Sequence, residues 1–94
     1  MVTDDGDDGN VLGLEYPVDY AFKIIGRAEG DFPEHARRLV ERVAGNAPPE
    51  QVSVRASGQG KFQSVSVTAR LESEAQRRAV YLALHQDPRV LYCL

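Results

Sequence analysis

The order in which alternating and helical hydrophobic patterns follow one another is the feature that most constrains this fold. Apolar residues at every second position indicate strands, and apolar residues three or four positions apart indicate helices. The alternating patterns cover 20–25, 51–57, 61–71 and 90–94, and the helical patterns cover 32–43 and 73–85. The chain is therefore predicted to run β-α-β-β-α-β.

Turn and cap residues support these boundaries. Pro33 suits the first turn of a helix, where no backbone N–H is needed. The run Ser57-Gly-Gln-Gly60 is typical of a hairpin between two strands. Ser73 and Gln76 have the spacing of a capping box, in which each side chain would accept a free backbone N–H of the other residue. The second helix is thus predicted to begin at this pair.

This order predicts an α+β fold, the ferredoxin-like sandwich, in which two helices cover one face of a four-stranded antiparallel sheet. Right-handed crossovers place the first and third strands in the centre and the second and fourth at the edges. The expected sheet core is Phe22, Ile24, Val52, Val54, Val65 and Val67. The expected helix stripes are Phe32, Ala36, Leu39, Val40 and Val43, and then Ala75, Ala79, Leu82 and Ala83. We expect Arg37, Arg38, Glu41 and Arg42 outside the first stripe, a Glu74–Arg78 pair on the second helix, and alternation of Val90, Tyr92 and Leu94 in the last strand.

Length and composition exclude several classes of protein. A chain of 94 residues forms one domain, expected over 15–94. No apolar run approaches the roughly 20 residues that span a bilayer, and we expect no secretory leader. The single cysteine, Cys93, cannot form an internal disulfide.

Negative charge is concentrated at the start of the chain. Residues 1–10 carry Asp4, Asp5, Asp7 and Asp8 and almost nothing apolar, so we expect a disordered acidic tail over 1–14. Without these four charges the chain has 11 basic and 10 acidic residues, a balance of +1. The folded part is therefore predicted to be nearly neutral.

The strand sequences carry a family resemblance. They are Phe22-Lys23-Ile24-Ile25-Gly26, then Val52-x-Val54, then Ser57-x-x-Gly60-Lys61-Phe62-x-Ser64-Val65-Ser66. Over 16–94 the chain resembles the YbeD family of small bacterial proteins of unknown function. The resemblance implies a ferredoxin-like fold similar to the ACT-type regulatory domains of amino-acid enzymes, and a cytoplasmic location. It implies no reaction and no catalytic residue.

The sheet face that the helices leave open is the candidate site. It is expected to bring together the ligand- or partner-binding residues Lys23, Arg55, Gly60, Lys61, Phe62, Ser64 and Ser66. The fold order and its two edge strands favour a non-enzymatic regulatory or protein-interaction module similar to ACT-type domains, which could act as a homo-oligomer. A sensor of a small anion or metabolite is the alternative. Serines on a solvated sheet face are also ordinary, and glycines serve turns.

Two other uses of this fold fit less well. Acylphosphatases have a phosphate loop that Gly26 and Gly30 match, but Glu34 stands where their catalytic arginine is expected, and Asn10 and Asn46 lie outside the predicted strands. An RNA-binding sheet displays aromatic residues on its central strands. Here only Phe62 is expected on the open face, and Phe22 is expected in the core. Nucleic acid is therefore an unfavoured partner.

The remaining reactive side chains predict neither a metal site nor a cofactor. His35 and His85 fall on different helices without ligand spacing around them, so we expect surface histidines. Cys93 lies in the last strand and is expected to pack as a small residue rather than act as a nucleophile. The sequence contains no enzyme signature.

Overall fold

The computed structural model describes residues 13–94, and the order β-α-β-β-α-β is confirmed. The elements are β1 (Val18–Arg27), α1 (Phe32–Ala44), β2 (Val52–Ser57), β3 (Phe62–Leu71), α2 (Glu74–Gln86) and β4 (Val90–Cys93), with a short 3-10 helix at Pro49–Gln51 before β2. The predicted acidic tail falls almost entirely on residues 1–12, which lie outside the described residues, so its disorder stays a prediction.

The sheet is antiparallel with the order β2-β3-β1-β4. The full length of β1 pairs with β3, from Val18 opposite Leu71 to Arg27 opposite Phe62. The first and third strands are therefore central, as predicted, and both helices pack on one face. No helix in 13–94 is long and apolar enough to cross a membrane.

The core lies between the central strands and the helices. Phe22, Ile24, Val65 and Val67 are fully buried, as predicted. On α1 the expected stripe is buried too, with Val43 partly so. Gly26 admits the close approach of α1, since a β-carbon there would overlap the ring of Phe32. This contact sets how closely the start of α1 packs on β1.

The prediction for Val54 is wrong, because its side chain is 48% exposed. Its position on the strand is inward, since it lies opposite the buried Val65. Of the residues of β2, however, only Val52 packs against the core. The alternation gave the correct side of the sheet, but the helix layer does not extend over this edge.

The predicted stripe of α2 is also wrong. The helix buries Val80 and Leu84, and Tyr81 packs against the core, whereas Leu82 is 59% exposed. Alanines lie on the outward side or at its margin, including Ala75 and Ala79. The side that carries Val80, Tyr81 and Leu84 removes more apolar surface from water than the side that carries Leu82 and the alanines would, so the helix turns that side inward.

Arg37 was expected outside the α1 stripe and is instead buried. Its guanidinium pairs with Glu34 at 2.8 Å and Glu41 at 3.0 Å, and donates to the carbonyl oxygen of Ala47 at 2.9 Å. These partners satisfy the buried charge. Arg37 thereby ties α1 to the segment that leads into β2.

A register shift changes the expected alternation in β4. Cys93 lies opposite Ile24 and Tyr92 opposite Ile25, but Val90 lies opposite Gly26, so the pairing skips Leu91. An extra residue of this kind shifts the alternation by one. Val90 and Cys93 consequently pack against the core, while Tyr92 and Leu94 are exposed.

The caps and turns largely agree with prediction. The Ser73 side chain accepts the N–H of Gln76 at 3.2 Å, and Gln76 Oε1 accepts the N–H of Glu72, not that of Ser73, at 2.7 Å. The Glu74–Arg78 pair forms at 3.6 Å. Gly58 and Gly60 have positive φ in the hairpin before β3.

Candidate binding face

The open face of the sheet, defined as the side opposite the helices, brings the predicted polar residues together in rows. Ser66 of β3 lies opposite Ser53 of β2 on one side and Lys23 of β1 on the other. In the next row, Ser64 lies between Arg55 and Ile25. Directly opposed residues of antiparallel strands point to the same side. The adjacency of Lys23, Arg55, Ser64 and Ser66 follows from strand order and alternation.

These rows surround a shallow depression of about 260 Å³. Its lining residues are Lys23, Ser53, Val54, Arg55, Ser64 and Ser66. Sequence analysis left Ser53 out of the site, although its alternation with Arg55 placed both on this face. The depression offers two cations and three hydroxyls, which suits the binding of carboxylate or phosphate oxygens.

The open face also collects cations that have no described acidic partner. Six of the 11 Lys and Arg side chains form ion pairs: Arg37, Arg38, Arg70, Arg77, Arg78 and Arg89. The other five pair with no described residue; Lys23, Arg27 and Arg55 lie on the open face, Lys61 at the hairpin and Arg42 on α1. Arg27 continues the alternation of Lys23 and was missed because β1 extends beyond the predicted residue 25.

On the helices, in contrast to the open face, most arginines have a carboxylate partner. Hydrogen bonds from Arg37 lower the pKa of the Glu34 carboxyl to about 2, with Arg38 contributing. Hydrogen bonds from Arg77 likewise lower the pKa of Glu74 to about 2, helped by the hydroxyl of Tyr16. Local carboxylates thus neutralise most of the helix arginines, with Arg42 the exception, whereas no described carboxylate pairs with the cations of the open face.

An apolar margin borders the cationic rows. Tyr92 lies opposite Ile25, and the backbone of Leu94 exchanges hydrogen bonds with that of Lys23 at 2.8 and 3.3 Å. Tyr92 and Leu94 are both more than half exposed. The face therefore combines charge, hydroxyls and an aromatic ring, and the β4 residues of this margin were not among the predicted site residues.

Three predicted site residues lie at the hairpin, outside the depression. Gly60 has φ of 86° and serves the turn, and the carbonyl oxygen of Lys61 accepts the N–H of Ala28 at 3.0 Å. The ring of Phe62 lies against Gly58, where a β-carbon would come within 2.6 Å of it. Phe62 also lies opposite Arg27, so this group continues the open face toward the hairpin.

The other candidate groups have local partners. Nε2 of His35 lies 2.9 Å from Oδ2 of Asp87, and Nε2 of His85 lies 3.8 Å from Sγ of Cys93. Burial raises the pKa of the Cys93 thiol, which disfavours the reactive thiolate. Within 13–94 no three His, Cys, Asp or Glu side chains are grouped to hold a metal ion.

The solved structure of protein HP0495 from H. pylori matches this fold. The match has a TM-score of 0.66 and 18% sequence identity, and covers 98% of this chain and 97% of that one. At this identity the comparison supports the architecture alone, and it agrees with the predicted sandwich.

Sequence comparison identifies relatives over most of the chain. A UPF0250 protein from Nitrosomonas europaea is 31% identical over 81 residues, covering 86% of this chain and 93% of the relative. One from Bordetella parapertussis is 35% identical over 80 residues, covering 82% and 85%. The family model described as "Protein of unknown function (DUF493)" matches residues 13–94. The YbeD-like resemblance is thereby confirmed, and the chain belongs to the DUF493 (UPF0250) family.

Proposed function

We propose that the protein is a non-enzymatic interaction module, similar in use to ACT-type regulatory domains, whose open face binds an acidic segment of a partner protein. The observation that carries this proposal is the set of cations Lys23, Arg27 and Arg55, which pair with no described residue. Positive side chains that no carboxylate neutralises attract negative partners and speed their association.

The spread of these cations favours an extended ligand. Arg55 is on β2 and Arg27 on β1, two strands apart, or about 10 Å at the usual strand spacing. Arg27 does not line the depression that Lys23 and Arg55 share, so a ligand that contacts all three cations must extend beyond it, as a peptide carrying several carboxylates does. The exposed ring of Tyr92 beside the cationic rows suits an apolar residue of the same peptide.

A small anion is the second candidate, and the depression supports it. Lys23, Arg55, Ser64 and Ser66 line one concavity of about 260 Å³, which is large enough for phosphate or a carboxylate metabolite. The main difference between the two candidates is the number of cations that each ligand uses. Phosphate would depend on the depression alone, and an acidic peptide would also depend on Arg27.

A titration with synthetic peptides tests the proposal. The probe is a peptide rich in Glu and Leu, and its control replaces every Glu with Gln. We expect backbone amide shifts at Ser64 and Ser66 with the Glu peptide only. Exposed charge pairs contribute about 0.2–1 kcal/mol each, so the double variant Lys23→Ala/Arg55→Ala should bind roughly 2- to 30-fold more weakly.

Arg42→Ala is the matched control, because it removes an equally unpaired cation from α1. We expect it to leave the peptide affinity unchanged. Equal losses in both variants, or equal binding of the Gln peptide, would contradict the proposal. If inorganic phosphate shifts the same amides and Arg27→Ala leaves peptide binding intact, the small-anion candidate replaces it.

A further inference from the structure

We propose that residues 4–8 of this same chain, the N-terminal acidic segment, occupy the cationic open face and compete with the partner for it. The inference rests on the proposed function, because it names what a partner displaces from the same site. The segment reads Asp-Asp-Gly-Asp-Asp and precedes the described residues. It supplies four carboxylates within five residues, which is the chemistry that the cations of the open face fit.

The three cations of the open face that pair with no described residue form a triangle. Arg55 lies level with Ile25 across β3, because both are opposite Ser64. Lys23 and Arg27 lie two residues to either side of Ile25 on β1. At the usual strand spacing and rise, each of the three α-carbons is about 12–14 Å from the other two. An extended segment of five residues spans about 14 Å, so the acidic segment matches the spread of these cations.

The connection to β1 is long enough for this contact. Tyr16 lies beside the start of α2, where its hydroxyl donates to Glu74 at 2.6 Å. Lys23 follows Tyr16 by seven residues, a distance of about 24 Å along the strand. The four aspartates precede Tyr16 by eight to twelve residues, which reach about 26–40 Å when extended. The N-terminal acidic segment is therefore within reach of the cations of its own sheet.

A tethered segment needs little affinity to occupy the face. A link of this length gives an effective concentration in the millimolar range, so even a weak contact is populated. Exposed charge pairs are individually weak, which keeps the contact reversible. A partner of higher affinity consequently displaces the segment.

An apolar contact distinguishes such a partner from the segment itself. Tyr92 lies opposite Ile25, beside the cations, and is 57% exposed. The N-terminal acidic segment contains only aspartate and glycine, so it has no side chain to cover this ring. A peptide that carries an apolar residue as well as carboxylates uses both the ring and the cations. The segment thereby selects against ligands that offer negative charge alone.

Replacing all four aspartates of the segment with asparagine in the full chain tests the contact. We expect the backbone amides of Ser64 and Ser66 to shift between wild type and this variant without any added ligand. The difference should disappear near 1 M salt, where the Debye length is about 3 Å. The control Glu50→Gln/Glu72→Gln, which neutralises exposed carboxylates elsewhere, should leave these amides unchanged. Absent shifts, or shifts that vanish on dilution and so report contact between copies, would overturn the proposal.

Peptide affinity separates this inference from the proposed function. The asparagine variant should bind the peptide rich in Glu and Leu about 2- to 10-fold more tightly than wild type. In the Lys23→Ala/Arg55→Ala background the same replacement should have a much smaller effect, because the segment has lost its site. Equal affinities of wild type and variant would overturn the inference and leave the proposed function standing. A peptide that binds neither protein would overturn the proposed function, and the ligand-free amide shifts then decide whether the segment contacts the face.

Discussion

Gly26 shows how one residue without a side chain fixes the distance between two elements. Its position touches the ring of Phe32, which is itself buried at the start of α1. The glycine that matched a phosphate loop in the sequence therefore has a packing role. Glu34, at the position of the expected catalytic arginine, is held by Arg37 and Arg38.

Replacing Gly26 with alanine should lower the free energy of unfolding by about 1–3 kcal/mol, because the added methyl overpacks against Phe32. Urea denaturation gives the measurement. Gly30→Ala is the matched control, since a β-carbon there meets nothing within 4 Å, and its effect should stay within about 0.5 kcal/mol. Equal effects of the two substitutions would contradict this account.

The lowered pKa of Glu74 predicts that the stability of the fold depends on pH through this one carboxyl group. It accepts hydrogen bonds from Tyr16 at 2.6 Å and from Arg77 at 2.6 and 3.0 Å, and its pKa is lowered from 4.5 to about 2. A lowered pKa contributes stability above about pH 4.5, and this contribution is lost as the pH falls toward 2.

Glu74→Gln should therefore destabilise the protein at pH 7, by about 1–3 kcal/mol for lost charge-assisted hydrogen bonds. The difference between variant and wild type should shrink as the pH falls below 4.5 and be lost as it falls through about 2, as followed by thermal melts across this range. Glu72→Gln, at an exposed neighbouring residue, controls for the change in net charge. A difference that is independent of pH would refute the role of the ionised carboxylate.

Among the elements, β3 follows its sequence pattern most closely. Val65, Val67, Ala69 and Leu71 all face the helices and are fully or almost fully buried. Val67→Ala should cost roughly 1–3 kcal/mol through lost burial and a cavity. Ser66→Ala, on the other side of the same strand, should change the unfolding free energy by less than about 0.5 kcal/mol in the same denaturation experiment.

In α2 the buried side differs from the predicted one, so substitutions on the two sides of this helix test which side packs against the core. Val80→Ala should destabilise the protein by roughly 1–3 kcal/mol, since Val80 is fully buried. Leu82→Ala removes a larger side chain but should cost less than about 0.5 kcal/mol, because Leu82 is exposed. The reverse ranking would restore the stripe that the sequence pattern favoured.

These cases show what hydrophobic periodicity can and cannot predict. Element order was predictable because glycines, prolines and caps mark each boundary. The inward side of α2 was not, because apolar residues occur all around that helix. Alternation placed Val54 on the correct side of the sheet, but it carries no information on how far the helices extend. Lys23, Arg55, Ser64 and Ser66 were predictable as neighbours, because strand order and alternation determine their rows.

For the whole molecule, charge is divided between the two sides of the sheet. The helix arginines are largely paired with nearby carboxylates, whereas Lys23 and Arg55 pair with no described residue.

We expect Lys23→Ala to leave the melting temperature within about 3 °C of wild type, because an exposed, unpaired charge contributes little to stability. Arg37→Ala should lower it clearly, since it removes a buried guanidinium with three partners. Similar melting temperatures for the two variants would contradict this division.

The pairing of β1 with β4 also has a consequence for folding kinetics. Ile24 and Cys93 are opposite each other although most of the chain separates them, so the sheet closes only after a long loop has been ordered. Contacts of such large sequence separation slow folding. Because the β2–β3 hairpin is local, we expect it to form early and β4 to join last. Substitutions in β4 should therefore accelerate unfolding more than they slow folding.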